Sequence, residues 1–99
     1  MAYFRVRLSG SGICLPLDDQ SAGIIGFFTT RQVRAKSVED AGILAKRRVL
    51  SEWQPGTPHA EANKGSPPTL LIEDVWKVGF LVGVFQRDPG GYTFYRRDD

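Results

Sequence analysis

At 99 residues the chain has room for one domain and one hydrophobic core, not two. An apolar content of 41% and a charged content of 24% are those of a folded globular protein and exclude disorder, while a net charge of +2 is far from a polycationic nucleic-acid tail. Cys14, the one cysteine, excludes an internal disulfide or a cysteine metal cluster and fits a reducing cytoplasm. No apolar run approaches the roughly 18 residues of a membrane span. The opening Met-Ala-Tyr-Phe-Arg-Val-Arg lacks the apolar core of a signal peptide. The expectation is therefore a cytoplasmic protein with no membrane partner.

Residues 3–8 alternate, with Phe4, Val6 and Leu8 on one side and Tyr3, Arg5 and Arg7 on the other, the pattern of a half-buried strand. Ser9-Gly10-Ser11-Gly12 should end it as a turn. Ile13-Cys14-Leu15 forms a short apolar patch stopped by Pro16, and residues 17–23 read as a surface loop. A second strand is expected over residues 24–35. Phe27, Thr29, Arg31, Val33 and Ala35 share its inward phase; Phe28, Thr30, Gln32 and Arg34 share the other.

Ser37 is a natural helix N-cap, with Asp40 three residues on and Glu39 and Asp40 favoured by the helix dipole. Val38, Ala41, Leu44, Ala45, Val49 and Trp53 recur at three- and four-residue steps as one apolar stripe flanked by Ile43 and Leu50. Lys46, Arg47 and Arg48 fill the later half, and Gln54-Pro55-Gly56 ends the helix.

Residues 54–68 hold four of the six prolines and read as a long Pro/Gly-rich loop. Residues 69–78 form a third strand, with Leu70, Ile72, Trp76 and Val78 in one phase and Leu71 and Val75 in the other. Residues 80–86 should continue as a strand after a break at Gly79, and a turn at Asp88-Pro89-Gly90-Gly91 precedes a closing strand over residues 92–96. The expectation is a single α+β domain spanning residues 1–99. It has two layers: one amphipathic helix on a mainly antiparallel sheet of four to five strands, in the order β-β-α-β-β-β.

Motifs for chemistry are sparse, and no cofactor, metal site or catalytic residue is expected. Gly10-Ser11-Gly12 opens onto Ile-Cys-Leu-Pro and cannot start the helix that a phosphate loop requires. His59, the one histidine, sits in the long loop without a nucleophile beside it and reads as solvated. Asp18-Asp19 and Asp98-Asp99 are adjacent acids in a loop and at the chain end, and Glu73-Asp74 lies in a strand, where neighbours point to opposite faces.

Three further features invite a test. Arg31 and Asp74 each fall in an inward phase, so they are expected either to pair in the core or to be turned outward by a bulge or a sheet edge. Tyr3, Arg5, Arg7, Gln32 and Arg34 would share one open sheet face, suited to a phosphate backbone and a stacked base or simply to solvent. The run holding Phe80, Leu81, Val82, Val84 and Phe85 is apolar in both phases, the pattern of a strand covered on both faces, and points to a homodimer interface. The functional expectation is a non-catalytic domain acting by self-association and protein-partner binding. The alternative is a nucleic-acid-binding protein using the Arg/Tyr face.

Overall fold

The computed structural model describes residues 1–16, 23–86 and 90–96. In chain order they form β1 (Ala2–Leu15), β2 (Ile24–Ala35), α1 (Val38–Ser51), α2 (Pro58–Ala62), β3 (Thr69–Val78), α3 (Phe80–Phe85) and β4 (Tyr92–Arg96). The strands make one antiparallel sheet in the order β3-β1-β2-β4. This is an α+β domain with α1 packed on one face, as the alternating strands and the single long amphipathic helix require. Residues 17–22 of the surface loop expected over 17–23, Asp88 and Pro89 of the Asp-Pro-Gly-Gly turn and the terminal aspartates lie outside the described residues.

The core sits between α1 and the inner face of the sheet. Phe4, Val6, Leu8, Ile13, Phe27 and Ala35 from the strands meet Ala41, Ala45, Val49 and Trp53. The helix buries its small residues: a Cβ on Gly42 would lie 2.6 Å from Ile72 Cδ1, so α1 and the sheet approach closely there. Val38 and Leu44, expected in the buried stripe, are instead exposed. Ser37 Oγ accepts from the Asp40 backbone N–H, capping the helix as anticipated.

Three local expectations change. The Ser-Gly-Ser-Gly stretch is strand, not turn, and β1 runs on through it to Leu15. The register with β2 becomes irregular between Ser11 and Leu15, where Gly12 takes a φ of 86°. Gly10 is needed for a different reason: a Cβ there would fall 2.2 Å from the Phe27 ring.

Residues 54–68 hold the short helix α2, with Thr57 as its cap, and are strapped to the end of β1. Lys64 N–H donates to Cys14 O at 2.8 Å, Ser66 N–H to Gly12 O at 3.0 Å, and Cys14 N–H to Asn63 Oδ1 at 2.8 Å.

Residues 80–85 are helix, not strand. β3 reaches the start of β1 at the Tyr3–Val78 pair, so beyond it β1 offers almost no further strand to bond. Backbone groups there are satisfied within the segment instead, as when Gly83 N–H donates to Gly79 O at 2.9 Å.

The close seat of Phe27 on Gly10 gives a stability test. Phe27 is fully buried and stacked on Trp53 at 5.4 Å, so its ring cannot retreat. Gly10→Ala is expected to destabilise the fold by about 1–3 kcal/mol, measured as a lowered urea midpoint.

Candidate functional site

The face of the sheet opposite α1 carries the residues singled out for binding. Strand register sets Tyr3 between Arg34 and Val78, Arg5 between Gln32 and Trp76, and Arg7 between Thr30 and Asp74. Directly opposed residues of an antiparallel pair point to the same side, so Tyr3, Arg5, Arg7, Gln32 and Arg34 form one contiguous patch. Two guanidinium groups lie over rings, Arg7 at 5.2 Å from Phe28 and Arg34 at 5.8 Å from Tyr3.

α3 lies across one end of this patch. A Cβ on Gly83 would fall 2.2 Å from the Tyr3 ring, so glycine lets the helix rest directly on it. Phe80 meets Tyr3 edge-on at 6.4 Å. Gln32 Nε2 donates to Gly83 O at 2.9 Å, while Arg5 donates from Nε to Gln32 Oε1 at 3.1 Å and from Nη2 to Gln86 Oε1 at 3.2 Å. Arg5 and Gln32 are thereby held in a hydrogen-bonded bracket beneath α3, whereas Arg7 and Arg34 stay exposed.

α3 turns its apolar side outward. Phe80 is 70% exposed and Leu81 67%, with Val84 also exposed and Val82 half-buried. Trp76 and Leu71 add exposed apolar surface on the same outer face. Phe85 belongs to α3, but its side chain lies outside the described residues. The residues expected at an interface are therefore displayed by a helix. The premise of a strand buried on both faces does not hold.

Arg31 points inward but does not pair with Asp74. Its guanidinium is forked onto Glu52, with Nη1–Oε2 at 2.6 Å and Nη2–Oε1 at 3.1 Å, and its Nε donates to Thr29 Oγ1 at 3.1 Å. Asp74 is turned to the opposite, exposed face. Arg7 opposes Asp74 and Leu8 opposes Ile72, so Glu73 is an extra residue in β3. That bulge reverses the phase of everything after it: Val75 packs against the core while Trp76 and Val78 face out. Glu52 was legible in principle, since it lies three residues after Val49 and seven after Ala45, on the inward side of α1.

Around this pair the rings interlock. Tyr92 Oη donates to Glu52 Oε1 at 2.6 Å, and Trp53 Nε1 donates to Tyr92 Oη at 3.3 Å. His59, read from sequence as solvated, stacks on Trp53 at 4.8 Å and meets Tyr92 edge-on at 5.1 Å. Burial opposes ionisation of Glu52, but the hydrogen bonds from Arg31 and Tyr92, with the positive charge of Arg31, outweigh it and hold the carboxyl below its ordinary value. Burial and the bond to Glu52 push the Tyr92 phenol up to about 12. A carboxylate saturated in this way is a clamp and a poor proton acceptor.

A cleft of about 380 Å³ beside α2 is lined by Trp53, Pro55, Asn63 and Pro67, with Glu61 its one titratable lining residue. Among the described residues no cluster of three or more His, Cys, Asp or Glu could hold a metal ion, and no helix is long and apolar enough to cross a membrane. Comparison with protein-family models, curated proteins and solved structures finds no match.

The clamp carries a defined pH signature. A carboxyl whose folded pKa lies below its ordinary 4.5 contributes stability fully above that value and loses it as pH falls through the folded pKa. Unfolding midpoints measured across the acid range are expected to drop below pH 4.5 in the native chain. In Glu52→Gln that dependence should flatten, at a cost near neutral pH of about 3 kcal/mol from weakened charge-assisted bonds.

Proposed function

We propose that this is a non-catalytic association domain, acting by self-association and protein-partner binding through the outer sheet face and α3. The observation that carries this reading is the outward display of Phe80, Leu81 and Val84 on a helix whose other side is seated on Tyr3. Large apolar side chains grouped on a small domain mark interaction surfaces. Burying each contributes about 1.5–3 kcal/mol. Trp76, exposed on the same outer face opposite Arg5, is an aromatic of the kind that anchors interfaces. The Glu52 carboxylate, saturated by Arg31 and Tyr92, is a poor proton acceptor, which favours association over catalysis. The lone cysteine suits work in a reducing cytoplasm.

A second reading draws on the adjacency of Tyr3, Arg5, Arg7, Gln32 and Arg34, which suits a phosphate backbone with a stacked base. It is the weaker of the two, because Arg5 and Gln32 are engaged beneath α3 and Asp74 stands opposite Arg7.

Light scattering of the purified chain is expected to give a dimer. Phe80→Glu with Leu81→Glu should shift it to monomer with an unchanged far-ultraviolet circular dichroism spectrum. Persistence of the dimer in that variant would count against the α3 surface. Fluorescence anisotropy with single-stranded RNA decides the second reading: salt-dependent binding lost in Arg5→Glu with Arg7→Glu would favour it.

A further inference from the structure

β3 is an edge strand of the sheet, paired among the described strands to β1 alone, and its Val75 N–H donates to Asp74 Oδ1 at 2.9 Å, a bond that pairing through that amide would replace. Edges usually resist pairing by carrying charges and bulges, and β3 carries both, with Glu73, Asp74 and Lys77 beside the bulge. These charges have an ordered arrangement, however. If a second copy lay antiparallel along β3 with both α1 layers on the same side, opposed residues would face the same way, and the two-fold axis would pass through a single residue.

With the axis at Val75, each Val75 meets its counterpart, Glu73 of one protomer meets Lys77 of its partner, and Asp74 meets Trp76. Both Glu73–Lys77 contacts are opposite-charge pairs. Moving the axis to Asp74 sets the two Asp74 carboxylates against each other and Lys77 against Leu71. Moving it to Trp76 leaves Glu73 against Gly79 and Lys77 against Val75. Only the Val75 register among these neighbours pairs every Glu73 with a Lys77.

The same register gathers apolar surface. Leu71, 61% exposed, lies beyond the bulge on the outer face, and the two Trp76 side chains flank the axis on that same face. The bulge at Glu73 limits regular pairing to the residues between Glu73 and Lys77, so the apolar contacts on either side must supply much of the association.

We infer that the partner of the association surface is a second copy of this chain, joined through antiparallel β3–β3 pairing centred on Val75. The inference rests on the association reading above and adds its partner and register. Cross-strand pairs of opposite charge stabilise and like charges directly opposed destabilise. Reversing one member converts both ion pairs to repulsions.

Sedimentation equilibrium on the full chain tests it. Lys77→Glu and Glu73→Lys alone are each expected to weaken dimerisation roughly tenfold. The two substitutions together should restore it. In a Cys14→Ser background, Val75→Cys should form a disulfide-linked dimer under mild oxidation, since opposed strand residues lie within disulfide reach. A dimer indifferent to the charge reversals and giving no Val75→Cys crosslink overturns β3 pairing, while its loss in the Phe80→Glu, Leu81→Glu variant would leave the association reading standing. A native chain that is monomeric at every concentration overturns both.

Discussion

The pairing of Arg31 with Glu52 is the constraint on which the inner layer depends. Arg31, only 4% exposed on the core side of β2, requires a counter-charge held in a fixed place, because a buried cation without one is unfavourable. Glu52, at the C-cap of α1, supplies it and so fixes the end of the helix over β2. Tyr92 then joins the same carboxylate from β4, binding the last strand to the helix although the two are forty residues apart in sequence. Trp53, next to Glu52, is carried into place by this geometry, stacked between Phe27 and His59. An electrostatic contact thus orients the aromatic packing, and the hydrophobic contacts keep water from weakening the pair.

The outer layer is governed by the bulge in β3. One additional residue at Glu73 lets the strand pack Leu70, Ile72 and Val75 against the core on both sides of the irregularity. It also turns Asp74 and Trp76 outward, so the edge gains a carboxylate opposite Arg7 and an aromatic beside Arg5. α3 completes this face from the end of β3, resting on Tyr3 through Gly83 and bonding to Gln32. The two faces of the sheet are consequently different in kind. One is filled and charge-locked; the other is a mixed surface of arginine, aromatic and aliphatic groups with an apolar helix upon it.

That division bears on function. The inner layer commits its carboxylate, phenol and guanidinium to one another, and its histidine to ring stacking, which suits rigidity. The outer layer holds exposed groups in fixed positions on a stiff strand framework, a condition that favours recognition because little side-chain freedom is lost on contact. A rigid sheet with one decorated face fits the association proposed above.

Features set by local patterning were legible from the residues alone. The alternation of Phe4, Val6 and Leu8 with Tyr3, Arg5 and Arg7 determined the two faces of β1, since side chains in a strand alternate whatever its neighbours. Ser37 and the three- and four-residue spacing of Ala41, Ala45 and Val49 determined α1 in the same way. The α+β class followed from these. What the tertiary structure alone decided depends on partners distant in the chain. Whether residues 80–85 become strand or helix turned on β1 running out at Tyr3, and whether Asp74 faces in or out turned on one bulge opposite Arg7. The choice of Glu52 over Asp74 as the partner of Arg31 followed from the same cause: a helix end and a strand met in space. Residue pattern determines which side of an element is apolar; only the assembled sheet determines which elements exist at its margins and which charges meet within it.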